Sequence, residues 1–183
     1  MSHDKDCCDD CLCMVIDCFL KHQNKGGGCC CFIQASDNEL QSIEETNVPQ
    51  LVRHNTLDGA ECMSLANDTD FVVEKAGTYF LIAAPQVGKG AGQPGNFRCW
   101  WRLNGANIPN SNVLLNLPGG AEDSTQDVIV SQGALKLAAG DVLQVWMATS
   151  NHDGDIRLEA IQPTTLEPLV PSIITTIHAI CCE

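Results

Sequence analysis

Phe71-Val72-Val73-Glu74-Lys75-Ala76-Gly77-Thr78-Tyr79-Phe80-Leu81 is the stretch that decides the fold. Tyr79 and Leu81 stand two positions apart, so on an extended strand they share one face. Gly77 lacks a Cβ and permits a sharp approach to that strand. Outward from here, from about Gln50, the chain is a series of short β-like runs at residues 78–87, 97–103, 113–117, 126–130, 142–149, 156–161 and 172–180. Gly, Pro, Asn and Asp crowd the intervals between them, as turns demand. The run Val142-Leu143-Gln144-Val145-Trp146-Met147 is apolar on both faces apart from Gln144, which predicts a central strand. Long amphipathic helices are absent from this region, so the pattern predicts an antiparallel sandwich.

Two separated motifs add a resemblance. Phe71, Gly77, Tyr79 and Leu81 have the spacing of the signature of complement C1q-like domains, with Leu81 in place of the usual aromatic. Further on, Leu135-Lys136-Leu137-Ala138-Ala139-Gly140-Asp141-Val142 resembles the leucine, Gly-Asp turn and apolar strand of the same tumour necrosis factor/C1q superfamily. The final run, 172–180, sits where that superfamily has its last central strand. The resemblance spans residues 50–180. It implies an all-β fold, an antiparallel ten-stranded jelly-roll sandwich assembling as a homotrimer, with apolar residues of the central strands on the three-fold axis and both chain ends at one base. No acidic cluster matches the calcium sites of some relatives.

Composition is consistent with one domain of this kind plus an appendage. The chain has 183 residues, 44% hydrophobic and only 5% aromatic, so its core is built mainly from Leu, Val, Ile and Ala. A formal net charge of −13 leaves no basic stripe for phosphates, and it repels anionic membrane surfaces. Nucleic acid and membrane are therefore excluded as expected partners. No apolar stretch approaches the roughly 20 residues of a membrane span. The acidic, Cys-laden N-terminus lacks the features of a secretory signal, and the chain reads as leaderless.

Cysteine placement says more than cysteine number. Of twelve, eight lie in the first 31 residues: Cys7, Cys8, Cys11, Cys13, Cys18, Cys29, Cys30 and Cys31. Cys181 and Cys182 stand near the other end, and Cys62 and Cys99 stand alone. A disulfide-stapled miniprotein would spread them through its fold. Three readings of the N-terminal cluster are open: intermolecular disulfides, metal binding, and reduced, lipidated or incidental thiols. The first is favoured, because adjacent pairs such as Cys7-Cys8 and Cys181-Cys182 reach different partners more readily than each other. Cys8, Cys11, Cys13 and Cys18 with His22 have spacings a zinc ion could use, but a regularly repeated Cys-x-x-Cys pair is missing. The intermolecular candidates are thus Cys7, Cys8, Cys11, Cys13, Cys18, Cys29, Cys30, Cys31, Cys181 and Cys182, with no metal or cofactor expected.

Three segments follow: a Cys-rich connector at 1–31, a flexible linker at 32–49, and the jelly-roll domain at 50–183. Within the connector, residues 12–23 have the pattern of a short amphipathic helix, cut off by Cys-Cys pairs and by Gly26-Gly27-Gly28. The linker, polar and acidic without clear period, would stretch to about 55 Å. A sandwich of this size is roughly 35–40 Å across. An arm of that length can leave its own trimer and join a neighbour, and head-to-tail joining gives an open filament.

The remaining residues that invite chemistry have plainer readings. Cys62 and Cys99 read as buried apolar residues. Trp100 and Trp101, between Arg98 and Arg102, suggest ligand stacking, but consecutive strand residues point to opposite faces, so packing is preferred. His54, His152 and His178 have no neighbouring nucleophile motif. Asp123, Asp127, Asp141, Asp153 and Asp155 sit at turns, where they cap. Gly88-Lys89-Gly90-Ala91-Gly92 lacks the Gly-Lys-Ser/Thr ending and following helix of a phosphate loop.

With no nucleophile, acid/base pair or cofactor loop surviving, the expectation is a non-enzymatic structural subunit of an extracellular fibre or coat. Trimers would be joined through N-terminal arms by intermolecular disulfides. In plan the chain resembles bacterial spore-surface appendage subunits with Cys-rich connectors. That resemblance implies a spore-surface location, with other coat or appendage proteins as further partners. The competing expectation is a trimeric ligand- or glycan-binding tip anchored by the same cysteines.

Overall fold

Gly77–Lys89 forms a thirteen-residue strand around which one whole sheet is organised. Its alternation explains why: Tyr79, Leu81, Ala83 and Val87 are buried, while Phe80, Ile82, Ala84 and Gln86 are only half-buried. The computed structural model describes residues 31–90, 92–119 and 125–182. Their strands, in chain order, are β1 (Phe32–Asp37), β2 (Gln41–Ser42), β3 (Gln50–Leu51), β4 (Thr56–Glu61), β5 (Met63–Ala66), β6 (Asp70–Val73), β7 (Gly77–Lys89) and β8 (Gly95–Leu103). They continue with β9 (Ala106–Asn107), β10 (Val113–Leu117), β11 (Thr125–Val128), β12 (Ser131–Leu137), β13 (Val142–Thr149), β14 (Ile156–Leu158) and β15 (Ile173–Cys182). Among the described residues there is no α-helix, only a short 3-10 turn at His152–Gly154.

Two antiparallel sheets result. The first has the order β2-β14-β7-β15-β1-β4. On one flank of β7, β12 and β11 pair in one continuous register, Ser131 opposite Ala83 and Thr125 opposite Lys89. On the other flank β15 pairs with Gly77–Pro85, and β14 with residues 87–89. The second sheet has the order β10-β8-β13-β6-β5, with β3 also on β13 and β9 on β8. The two form the expected jelly-roll sandwich, and the central placement of residues 142–149 holds, since β13 has neighbours on both sides.

The core lies between the sheets. Ile33, Tyr79, Leu81, Ile173 and Ile177 from the first meet Phe71, Phe97, Trp101, Leu143 and Val145 from the second, all essentially solvent-free. Each large apolar side chain so buried contributes about 1.5–3 kcal/mol relative to exposure. Phe71 of the opening motif stands 6.5 Å from Trp101 and meets the His54 ring edge-on at 4.9 Å. Tyr79 donates its hydroxyl hydrogen to Lys75 O at 2.7 Å, which satisfies its one polar atom.

The second motif is a turn between β12 and β13. Gly140 has φ +90, a region that favours glycine, and its N–H donates to Val73 O at 2.7 Å. Asp141 Oδ2 accepts the Ala138 N–H at 2.8 Å, closing the turn as expected of an aspartate there. Gly77 differs: it is buried without a left-handed backbone, so close packing rather than a special turn is what it provides.

One boundary needs correction. Residues 32–49 are not a flexible linker, because β1 lies inside the first sheet between β15 and β4. Ile33 and Ala35 enter the core at period two, while Gln34 between them is exposed. Ile43 is buried as well, and Thr46 bridges Thr149. The polarity of the segment hid a strand whose outer face alone is polar.

Candidate assembly site

The ten cysteines expected to link subunits separate into three groups. Cys7, Cys8, Cys11, Cys13, Cys18, Cys29 and Cys30 lie outside the described residues, as does the helix expected at 12–23. The backbones of Cys181 and Cys182 end β15, opposite Thr78 and Gly77, after an irregularity in register between Ala179 and Cys181. Cys31 is the correction. It forms a disulfide with Cys62 of the same chain, Cα to Cα 5.1 Å.

The reason is local. β1 pairs with β4 so that Phe32 stands opposite Glu61, bringing the residues flanking those two into reach of each other. Cys62 adopts φ +55 in the tight corner between β4 and β5. It is therefore a half-buried cross-link rather than a buried apolar residue. The Ile33/Ala35 alternation directly after Cys31 is the signal that could have moved this cysteine from the connector to the domain. Cys99 does match its expectation: it is a free thiol, fully enclosed, and burial pushes its pKa up to about 12.

A second feature concerns association directly. The outward side of the first sheet is continuous across four strands and follows from the registers. One row runs Ala134, Phe80, His178, Phe32; the next runs Gln132, Ile82, Thr176, Gln34; a third includes Ala84, Ile174 and Ser36. Phe80 and His178 have ring centroids 5.5 Å apart. Phe32 and Ile174 remain 40% and 39% exposed. No carboxylate stands on these rows, in a chain of formal charge −13. Lys136 lies at the margin, opposite Thr78.

The other candidates are structural. His54 is buried, its Nε2 hydrogen-bonded to Thr175 Oγ1 at 2.7 Å. Burial lowers its pKa to about 4, with a backbone bond to Asp68 opposing the shift. His152 contacts Thr46 and Asp153 at the surface. Lys89 is 1% exposed and donates to Gly90 O at 2.9 Å and Gly92 O at 3.2 Å. The glycine-flanked lysine thus points inward to carbonyls, away from any phosphate. Among the described residues no group of three or more His, Cys, Asp or Glu is placed to hold a metal ion. Trp100 and Trp101 do point to opposite faces: Trp101 fills the core and Trp100 stands on the outer face of the second sheet.

With the geometry in place, comparison with known proteins supports the fold. The crystal structure of murine APRIL at pH 5.0, a jelly roll of the tumour necrosis factor family, is similar to this chain with a TM-score of 0.52 and 11% sequence identity. The match covers 83% of this chain and 100% of that one. The architecture is therefore a tumour necrosis factor-like jelly roll. No family model matches the sequence. No curated protein matches it either.

Proposed function

We propose that this chain is a self-assembling structural subunit whose jelly rolls associate as homotrimers through the outward face of the first sheet. The observation that carries this reading is that face itself: Phe32, Phe80, Ile82 and Ile174 in adjoining rows without a carboxylate. Acidic chains repel one another most strongly wherever carboxylates face carboxylates. A sheet face cleared of them is one at which copies can meet. An exposed contiguous apolar patch is also unfavourable in isolation and marks a contact surface. The similarity to a tumour necrosis factor-family jelly roll supports a trimer as the form of that contact.

The cysteines of the N-terminal segment then join trimers by intermolecular disulfides into an extracellular fibre or coat, at a spore surface, with coat or appendage proteins as further partners. Cys31 and Cys62 take no part, since they are bonded to each other. Such a polymer resists heat and denaturant because no subunit leaves by dissociation alone.

Two measurements test the two halves separately. Sedimentation of the reduced protein is expected to give trimers, and Phe80→Glu or Ile82→Glu is expected to give folded monomers. Trimers that survive both substitutions would remove the proposed face. Boiling oxidised protein in detergent is expected to leave covalent multimers that reductant releases. Release as monomers without reductant would sink the covalent polymer.

A further inference from the structure

The outer face of the second sheet carries an arrangement that self-association through the first sheet leaves unused. Trp100 on β8 and Trp146 on β13 stand directly opposite in register, both half-buried. The Arg102 guanidinium lies 3.8 Å from the Trp146 ring centroid. Trp100 Nε1 donates to Asn107 Oδ1 at 2.9 Å, and Arg102 Nε donates to the same oxygen at 2.7 Å. Trp146 Nε1 donates to Gln144 Oε1 at 3.1 Å, and Gln144 in turn donates to Asp70 at 2.6 Å. Both indoles are thereby fixed at their polar edges.

Charge singles out the same place. Only four arginines occur in the chain, and two of them, Arg98 and Arg102, are on this face. Arg157 is engaged by Asp155 and Glu159, and Arg53 stands 3.9 Å from Glu39. Among the described residues, Arg98 and Arg102 have no carboxylate within ion-pair distance; Arg98 instead donates to Asn47 Oδ1 at 2.7 Å. In a chain of charge −13, two guanidinium groups without acidic partners beside two aromatic rings are complementary to an anion with an apolar face.

The kind of anion follows from the strands. β8 lies between β10 and β13, and β13 has β8 on one side and β6 and β3 on the other, so neither offers a free backbone edge here. An extended peptide would find no ladder to join. Recognition must run through side chains on a sheet face, which suits a ring that stacks.

We propose that this face binds acidic saccharides, the Trp100 indole stacking on the apolar face of a pyranose ring while Arg98 and Arg102 hold its carboxylate. The site is independent of the assembly reading, since it lies on the other sheet.

The test uses the full-length protein titrated with tetragalacturonate, with maltotetraose as neutral counterpart and a tetra-aspartate peptide as acidic non-sugar, followed by calorimetry and tryptophan fluorescence. Tetragalacturonate is expected to bind at least tenfold more tightly than either control, and more weakly as salt rises. The Arg98→Gln/Arg102→Gln double variant is expected to lose at least tenfold, and Trp100→Ala to abolish binding. If Trp100→Ala does not fold, the arginine variant decides, with its melting temperature as the control for folding. Equal binding of the neutral sugar, binding of the peptide alone, no binding at all, or an unaffected arginine variant would each overturn the proposal. Sedimentation of the same variants reports on assembly separately, so failure here leaves that reading standing.

Discussion

His54 and Thr175 meet inside the sandwich, Nε2 to Oγ1 at 2.7 Å, joining the segment before β4 to the middle of β15. The ring is otherwise enclosed by apolar neighbours such as Phe71, and Nδ1 has no partner among the described residues. A neutral imidazole is tolerated there and a charged one is not. With a folded pKa near 4 against an ordinary 6.5, the unfolded chain binds the extra proton first as pH falls. Stability from this group is therefore complete above about pH 6.5 and is lost progressively down to about pH 4. The whole interval corresponds to about 3 kcal/mol. Urea unfolding at pH 7.5, 5.5 and 4.5, at one protein concentration, is expected to show a falling midpoint. In His54→Leu this dependence should flatten, even though the variant is less stable at neutral pH.

The Cys31–Cys62 disulfide closes a loop with a sequence separation of 31 residues. In the chain-entropy model such a closure contributes about 3–4 kcal/mol. Cys31→Ala with Cys62→Ala is expected to lower unfolding free energy by an amount of that order while leaving intermolecular cross-links in place. An unchanged denaturation midpoint, or loss of the multimers on non-reducing gels, would contradict the assignment.

Two glycine-to-alanine changes should have opposite signs. Gly140 has φ +90, so alanine there is strained although nothing lies near its Cβ position, and a loss of about 1 kcal/mol is expected. Gly133 on β12 has no such backbone. An added Cβ meets nothing within 4 Å, beside a cavity of about 170 Å³ lined in part by Leu81, Trp101 and Ile108. Gly133→Ala is expected to gain about 0.5 kcal/mol. Thermal melts of the pair check both directions.

Cys99 should be chemically silent. A thiol fully enclosed by the core, with its pKa pushed up to about 12, presents no thiolate at neutral pH. Mass spectrometry after maleimide treatment is expected to find it unmodified in native protein and modified after denaturation. Cys99→Ala should leave the covalent multimer pattern unchanged.

The sequence made the centre of the fold legible and its margins less so. Residues 113–117 and 142–149 coincide with β10 and β13, because both are apolar runs ended by clear turn residues. β1, β4 and β12 were not recognised as strands. Each has an outer face of polar or small residues, so its period-two signal rests on two or three buried positions, such as Ile33 and Ala35 in β1. The apolar assembly face was beyond reach for a different reason. Ala134, Phe80, His178 and Phe32 come from four strands up to 146 residues apart, and only the register aligns them. The same holds for Trp100 and Trp146, where the tryptophan dipeptide was visible but its cross-strand partner was not.

The staple between Cys31 and Cys62 has a mechanical meaning. Tension applied to the chain ahead of residue 31 reaches β1 at its first residue, where hydrogen bonds loaded one at a time would part like a zip. The covalent bond diverts that load at once into the corner between β4 and β5, so β1 carries it in parallel with a second strand. A pulled subunit then yields by shearing several ladders together, which takes far more force than peeling one. Reducing the bond would turn a load-bearing joint into a peeling one without moving any strand.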